Sequence, residues 1–304
     1  MPVATETTIE IRDPRFSPLV LVNSQLERLW TGGRWCEGPV YVPAGRYLLF
    51  SDIPNDRTMR YDEPSGRVAV FEQPARNQNG HTLDRHGRVV SCEHRARAVT
   101  RIAYDGHREV LADSFDGKRL NSPNDVVVRS DGSVWFSDPT YGIDSDYEGD
   151  RSSSEIGASN VYRIDPESGS VTAVITDMVQ PNGLAFSPDE SVLYVADTGA
   201  THQGPACPPV IRSYAMKAGL PTGASDVFAT CEQGLFDGFR IDVHGNLWTS
   251  AGDGVHCFAA DGTLLGKIHV PEAVANLELG GPKRNRLYIC ATTSLYAIYV
   301  NTRA

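Results

Sequence analysis

Short stretches in which apolar and polar residues alternate recur along the whole chain, and each is broken by a tight turn. Six of them share one pattern, in which a strand, a turn and a second strand follow one another. They are PVYVPAGRYLLFSD from Pro39, GHTLDRHGRVVSCE from Gly80, DVVVRSDGSVWFSD from Asp125, GLAFSPDESVLYVAD from Gly183, GFRIDVHGNLWTSA from Gly238 and LELGGPKRNRLYICA from Leu277. Alternation with period two around a Gly, Asn or Asp turn predicts a β-hairpin.

The six hairpins recur at intervals that are typical of one all-β architecture. Their turn residues lie 42, 45, 58, 55 and 40 residues apart, at Gly45, Gly87, Gly132, Glu190, Gly245 and Asn285. A weaker second hairpin follows each one, for example VYRIDPESGSVTAVITD in the third repeat. Two hairpins supply four strands, which is the content of one propeller blade. We therefore predict an all-β, six-bladed β-propeller with four-stranded blades.

This repeat pattern predicts one domain over residues 1–304, although a length of 304 residues alone would suggest two. The sixth repeat ends one strand short, near residue 301. The strand-like segment LERLWTG at residues 26–32 is expected to supply that outer strand and to close the ring. We predict an N-terminal extension at 1–20, a closing strand at 21–32, and blades at about 33–75, 76–118, 119–177, 178–232, 233–271 and 272–304.

A polar residue stands at the start of the first strand of every repeat. Five of these residues lie eight positions before their turns and the sixth lies nine before, and they are Glu37, Asn79, Asn124, Asn182, Asp237 and Asn276. The innermost strands of a propeller surround its central channel, so we expect a ring of two carboxylates and four carboxamides. A single Asn-Gly or Asp-Gly pair is also an ordinary turn. Recurrence in all six repeats, and the poor turn former Glu37, favour the ring.

Six oxygen-bearing groups crowded at a channel mouth need a partner, which is water, a ligand or a cation. Carboxylates and carboxamides are the ligands of hard divalent cations, so we predict one bound divalent cation, calcium above all. Zinc is less favoured because the ring contains no His or Cys, whereas manganese or magnesium is able to substitute. Only two of these six ligands are formally negative, so the cation's charge is not over-neutralised and it can polarise a substrate oxygen.

Two long loops, at residues 139–159 and 198–209, follow second strands and are expected to lie over the ring. They carry Tyr141, Tyr147 and His202, which we predict to be lid and pocket residues; the alternative is a pair of solvated insertions. The first loop contains DSDYEGDRSSSE, which has the spacing of an EF-hand calcium loop. Glu148 at its fifth position, Arg151 at its usually apolar eighth position and the lack of flanking helices favour a flexible acidic lid instead.

Composition excludes several classes of partner. The net charge of −10 argues against nucleic-acid and anionic-membrane partners. The longest apolar run, Leu19 to Val22, is too short to cross a bilayer, and the N-terminal segment lacks the pattern of a signal peptide. None of the six cysteines has zinc-site spacing, so we expect reduced, buried thiols and a cytoplasmic protein. Oligomeric state is left open.

Four segments that overlap the hairpin repeats together resemble the SMP-30/gluconolactonase family. The members of that family are calcium-dependent six-bladed propellers that hydrolyse sugar lactones. GGRWCEGPVY is similar to the family's opening motif, and NSPNDVVVRSDGSVWFSDPTYG is similar to its gluconolactonase branch. PNGLAFSPDESVLYVADT and FDGFRIDVHGNLWTS match two later motifs. The resemblance covers about residues 25–300, and four motifs in order are far more specific than any one of them.

The resemblance implies a role for each matched residue. Glu37, Asn182 and Asp237 are implied as metal ligands, and Asn124 is implied to face both substrate and metal. Asp237 is further implied as the general base or, less favoured, as a nucleophile. In the mechanism that we infer from these roles, Asn124 and Asn79, the latter outside the matched motifs, would orient the substrate by hydrogen bonds.

One departure from the family concerns sugar recognition. The vertebrate branch has an Arg two positions before the substrate Asn, where this chain has Ser122. Substrate contacts are therefore expected from other residues, with Arg119, Asn121, Tyr141 and His202 as the candidates.

The expected function is metal-dependent hydrolysis of glucono-1,5-lactone, or a similar aldonolactone, to the aldonic acid. No GxSxG, HExxH, Walker or GxGxxG motif points to another mechanism. Two alternatives stay open: hydrolysis of organophosphate triesters at the same site, and a non-enzymatic propeller that serves as an interaction module.

Overall fold

Six antiparallel sheets around a central channel form most of the regular structure in residues 3–5 and 7–304, which are the residues that the computed structural model describes. The first three blades comprise Cys36–Val42, Tyr47–Asp52, Arg57–Asp62 and Arg67–Glu72; Gln78–Leu83, Val89–Glu93, Ala98–Ile102 and Arg108–Ala112; and Val126–Val128, Val134–Asp138, Asn160–Ile164 and Val171–Ile175. The last three comprise Pro181–Phe186, Val192–Asp197, Val210–Lys217 and Asp226–Thr230; Phe239–Ile241, Leu247–Ala251, Gly254–Phe258 and Leu264–His269; and Val274–Gly280, Arg286–Ala291, Ser294–Tyr299 and Glu27–Thr31. The predicted six-bladed propeller is confirmed.

The ring is closed by a strand from the other end of the chain. Glu27–Thr31 pairs antiparallel with Ser294–Tyr299, which places Thr31 opposite Ser294 and Trp30 opposite Leu295. The last blade thereby gains its fourth strand, as the sequence predicted. Because the N-terminal strand is held in the same sheet as the C-terminal ones, the propeller cannot open without breaking this pairing.

Residues before the closing strand add to two blades. Ile9–Ile11 pairs with Leu264–His269 as a fifth strand of the fifth blade, and Val3–Ala4 pairs with Glu27–Thr31 on the sixth. The following 3₁₀ helix, Pro14–Leu19, buries Phe16 against Trp248, with 5.7 Å between the ring centroids. These additions cover outer sheet edges that would otherwise be open to pairing. They were not expected from the sequence, because strands of two and three residues carry almost no periodicity.

The remaining elements are short. Two small strand pairings involve Ser114–Phe115 with Lys118–Arg119, and Leu220–Pro221 with Val210–Lys217. The other helical segments are Tyr141–Asp144, Ala200–Gln203, Pro43–Gly45, Ile53–Asn55 and Gly204–Ala206. Within the described part of the chain, no helix has the length and apolarity that a membrane crossing requires.

The hydrophobic core lies between neighbouring blades rather than in one central mass. One cluster joins Trp248 of the fifth blade to Leu277 and Ile289 of the sixth, and another joins Val90 of the second to Phe136 of the third. All six cysteines are buried and free, as the sequence led us to expect. Burial between blades fixes each sheet against the next, so the starts of the innermost strands are held rigidly around the channel.

Candidate active site

A cavity of about 230 Å³ lies over the channel at the end where the innermost strands begin. Five of the six residues of the expected ring line it: Glu37, Asn79, Asn124, Asn182 and Asp237. The other lining residues come mostly from loops, and they are Trp35, Tyr141, Glu148, Thr198, Thr201 and Leu235. We call the five ring residues the floor of this cavity and the residues from the loops its roof. The spacing in the sequence identified the floor, whereas it did not identify most of the roof.

Asn276, the sixth member of the expected ring, is not among the lining residues. Its Nδ2 donates to Oε2 of Glu37 at 2.9 Å, and its Oδ1 accepts from the backbone N–H of Leu277 at 2.8 Å. Asn276 thus holds the Glu37 carboxylate from beside the channel. Its spacing of nine residues from the turn, rather than eight, was the signal in the sequence that this position differs.

Bulges interrupt the innermost strands at or beside three of the ring residues, Glu37, Asn79 and Asn182. In the first blade Glu37 faces Ser51 and Val40 faces Leu49, so the innermost strand contains one extra residue. The same irregularity occurs between Gln78 and His81 and between Pro181 and Leu184. A β-bulge bends its strand and redirects the side chain beside it.

The glycines that follow ring residues are required by close contact between blades. A Cβ on Gly183 would lie 2.2 Å from the backbone oxygen of Asp237, and one on Gly80 would lie 2.6 Å from that of Asn124. The two glycine N–H groups donate to these same oxygens, at 3.1 and 2.8 Å. The Asn-Gly pairs of the sequence are therefore joints between consecutive blades rather than simple turns.

His94 connects the ring to the loop above it. Burial lowers the pKa of His94 to about 4, so its ring is neutral at pH 7. Nδ1 lies 3.1 Å from the backbone oxygen of Glu148 and must carry the proton, which leaves Nε2 to accept from Nδ2 of Asn79 at 3.3 Å. The Asn79 amide is thereby oriented, and its Oδ1 is buried with no hydrogen-bond partner among residues 3–5 and 7–304.

Three carboxyl groups share the cavity, and burial is the main cause that raises the pKa of each. Burial, followed by the charges of Asp237 and Asp125, raises the pKa of Glu37 well above its usual range. Burial raises the pKa of Asp237 to about 8, with Asp125 and Glu148 adding to the effect and a hydrogen bond from Asn182 opposing it. Burial and the charge of Asp144 raise the pKa of Glu148 to about 7. The cavity thus concentrates acidic groups whose ionised forms are poorly compensated.

The donor set fits a hard divalent cation. None of the described residues that line the cavity is Lys, Arg or His, so no side chain there can neutralise the carboxylates. Carboxylate and amide oxygens are ligands for calcium-like cations, and the unpartnered Oδ1 of Asn79 is a further oxygen in need of a partner. In the part of the chain that the structure describes, no group of three or more His, Cys, Asp or Glu could hold a metal. A cation at this site would therefore need the amide oxygens as well as Glu37 and Asp237.

Two loops form the roof. The hydroxyl of Tyr141 donates to Oγ1 of Thr198 at 2.7 Å and lies 2.8 Å from Oγ1 of Thr201. His202 lies outside the cavity lining, where its Nε2 is 2.9 Å from Oδ2 of Asp144 and its ring meets that of Tyr141 at 5.5 Å between centroids. His202 therefore fastens the two loops together, whereas Tyr141 faces the cavity.

Ser122 fixes the first loop at its base. Its hydroxyl donates to the backbone oxygen of Pro139 at 2.6 Å and accepts from the N–H of Gly142 at 2.9 Å. The position at which the vertebrate branch carries Arg is thus used here to anchor the roof. Tyr147, on the same loop, is 52% exposed and is not among the cavity-lining residues.

Two further candidates for sugar recognition lie away from the cavity. Asn121 is fully buried, and its Nδ2 donates to the backbone oxygens of Asp138 and Ala158 at 3.0 and 2.9 Å. Arg119 is exposed, and its Nη2 donates to the backbone oxygen of Ala96 at 3.2 Å. Neither side chain is among the cavity-lining residues, because each is bonded to backbone oxygens of a loop beside the cavity.

Five residues that the sequence did not single out as site residues complete the lining: Trp35, Glu148, Thr198, Thr201 and Leu235. Glu148 belongs to the acidic segment with EF-hand-like spacing, but that spacing does not say which acid turns inward. Thr198 and Thr201 belong to the second long loop, and Trp35 stands two residues before Glu37. The sequence predicted the loops that carry these residues, or the site residues next to them. It did not predict which way their side chains point, because that depends on contacts between blades.

Comparisons with known proteins identify the family and agree with the fold. The family model described as the SMP-30/Gluconolactonase/LRE-like region matches residues 35–293. A gluconolactonase of Zymomonas mobilis is 32% identical over 95% of this chain and 85% of its own length. The pentonolactonase XacC of Haloferax volcanii is 31% identical over 85% of this chain and 82% of its own. The structure of a gluconolactonase from Xanthomonas campestris superposes with a TM-score of 0.91, at 33% identity and covering 99% of this chain and 97% of that one. The chain therefore belongs to the SMP-30/gluconolactonase/LRE-like family.

Proposed function

We propose that this lactonase hydrolyses glucono-1,5-lactone, or a similar aldonolactone, to the aldonic acid, and that it does so with one divalent cation, calcium above all. The sugar-lactone class is supported by the relatives that act on gluconolactone and pentonolactone. The cation is supported above all by the cavity lining, which includes the carboxyl groups of Glu37, Asp237 and Glu148 and, among the described residues, no cationic side chain.

We assign cation binding to a few residues of the cavity floor. Glu37, Asn182 and Asp237 are the proposed ligands, with Asn124 beside them. A divalent cation bound there supplies positive charge that polarises the lactone carbonyl and stabilises the negative charge developing on its oxygen. Manganese, magnesium or zinc would supply the same charge.

The side chains of the cavity supply binding and proton transfer. Asp237 lies two residues before the innermost strand of the fifth blade, Phe239–Ile241. It is partly exposed, and it is positioned by the bond from its N–H to Oγ of Ser250 at 2.8 Å. We assign it the role of general base, which removes a proton from the attacking water. Asn79 and Asn124 offer amide groups to the substrate hydroxyls, and Tyr141 closes the cavity above.

A substrate comparison tests the proposal. With the protein saturated in calcium, initial rates should be measured by pH-stat for glucono-1,5-lactone, a pentonolactone and an organophosphate triester. We expect kcat/KM for the better sugar lactone to exceed that for the phosphotriester by orders of magnitude, because the amide groups of the floor suit a polyhydroxylated ring. A preference for the phosphotriester would identify the protein as an organophosphate hydrolase. No turnover of any of them would favour the interaction-module alternative.

We also expect the protein to be cytoplasmic, in keeping with its six free and buried cysteines. The small-molecule lactone is the partner that the family relatives support. With a net charge of −10, we expect neither nucleic acid nor an anionic membrane to bind.

A further inference from the structure

Glu148 is a carboxyl group of the roof that the roles assigned above do not use. It comes from the loop between Val134–Asp138 and Asn160–Ile164, whereas Glu37 lies in the innermost strand of its blade and Asp237 lies just before that of another. A substrate in the cavity therefore lies between Asp237 below and Glu148 above.

The loop that carries Glu148 is held by specific contacts. The backbone oxygen of Glu148 faces Nδ1 of His94 at 3.1 Å, and the N–H of Ser152 donates to the oxygen of Ile143 at 2.9 Å. The loop also crosses itself closely, because a Cβ on Gly149 would lie 2.2 Å from the backbone oxygen of Gly142. These contacts fix the backbone around Glu148 and so hold this residue over the cavity floor. Glu148 is therefore not simply one acid of a solvated segment.

Lactone hydrolysis needs a proton at a second position. When the carbonyl oxygen is directed at the floor, the ring oxygen bonded to the same carbon points away from it. That ring oxygen leaves as an alkoxide, which is a poor leaving group unless it is protonated as the bond breaks. Of the carboxyl groups that line the cavity, Glu148 is the one on the roof.

We propose that Glu148 is the general acid that protonates the departing ring oxygen, a role that rests on the lactonase function proposed above. Water adds to the carbonyl carbon while Asp237 takes its proton, and the π pair of the carbonyl moves to the carbonyl oxygen. That pair then re-forms the carbonyl as the bond from carbon to the ring oxygen breaks. The electron pair of the broken bond goes to the ring oxygen, and this oxygen takes the proton of Glu148. Proton transfer from Asp237 to Glu148 through cavity water restores both groups, and the aldonic acid loses its own proton to solvent.

The environment of Glu148 suits this role. Burial and the charge of Asp144 raise its pKa to about 7, so the group can both hold and release a proton near neutral pH. A pair of carboxyl groups in one cavity, of which one accepts and the other donates a proton, is a recurrent solution in hydrolases.

The test compares Glu148→Gln with a matched change on the same loop. Asp150→Asn removes a carboxylate whose Oδ1 meets Nε of exposed Arg95 at 3.2 Å and which is not among the cavity-lining residues. On glucono-1,5-lactone with saturating calcium, we expect Glu148→Gln to lower kcat by about 10²–10⁴-fold with KM changed by less than about threefold. Asp150→Asn should keep kcat within about twofold of the unaltered protein, since the proposed proton donor is still present.

A second variant separates proton transfer from a loosened roof. Glu148→Ala leaves space for a small proton donor, so added imidazole, which is partly protonated near neutral pH, should restore part of its kcat. A variant impaired only in loop packing would gain nothing. Unchanged kcat in Glu148→Gln, a defect confined to KM, or no rescue of Glu148→Ala by imidazole would each overturn the role. If the unaltered protein itself fails to hydrolyse the lactone, the proposed function fails, and this result is distinct from all three.

Discussion

Replacing Asp237 by Asn is expected to lower kcat for glucono-1,5-lactone by about 10²–10⁴-fold, because the general base is removed while an oxygen ligand of similar shape is kept. Asp237 lines the cavity floor, and its N–H remains able to donate to Ser250 in the variant. The fold should therefore survive the change. Steady-state kinetics by pH-stat, with calcium raised until the rate no longer increases, measures the effect.

Calcium binding by titration calorimetry serves as the control for this variant. If Asp237→Asn binds calcium more weakly but recovers nearly normal kcat at saturation, Asp237 acts only as a ligand and takes no part in proton transfer. Covalent labelling of Asp237 by the substrate would instead show that it is a nucleophile. Loss of kcat at saturating calcium without labelling is the result that the general-base role requires.

Replacing Gly183 by Ala is expected to destabilise the fold by about 3 kcal/mol or more and to impair the site at the same time. The added Cβ would lie 2.2 Å from the backbone oxygen of Asp237 and 2.9 Å from Cα of Gly238, and neither atom can move as a side chain does. Either the fourth and fifth blades separate or Asp237 is displaced. Urea unfolding followed by tryptophan fluorescence measures the first effect, and kcat of the folded variant measures the second.

Gly87→Ala is the matched control for Gly183→Ala. Gly87 has φ +78°, and an added Cβ there meets nothing within 4 Å, so only the cost of the left-handed conformation applies. That cost is about 1–2 kcal/mol, and kcat should be unaffected. Equal stabilities of the two variants, or full activity of Gly183→Ala, would show that the contact between blades does not position the floor.

Most of the architecture was predictable because hairpins are local. Alternation around Gly45, Gly87 and Gly132 depends on neighbours in sequence, and repetition turns six local patterns into one global fold. The closing strand was predictable because the last repeat is one strand short. The fifth strand of the fifth blade was not, since Ile9–Ile11 gains its structure from the partner Leu264–His269 and not from its own pattern.

The floor of the site was predictable for the same reason, and its roof was not. Equivalent positions of a repeat come together around the axis, so counting residues was enough to find Glu37 and Asp237. Glu148 faces the cavity because Gly142 and Gly149 let the loop cross itself and because His94 holds the loop's backbone. Such contacts produce no periodic pattern in the sequence, so they could not be predicted from it. Arg119 and Asn121 stood close in sequence to Asn124, yet their side chains support loops beside the cavity and do not enter it.

The central claim is that a divalent cation held at the channel mouth is required for lactone hydrolysis. Glucono-1,5-lactone hydrolysis should be followed by pH-stat on protein stripped with a chelator and again after calcium is restored, with residual metal measured by elemental analysis. We expect activity to fall to the background rate on stripping and to return in proportion to bound calcium, approaching its full value at one ion per chain. Undiminished hydrolysis by protein shown to be free of metal would contradict the claim.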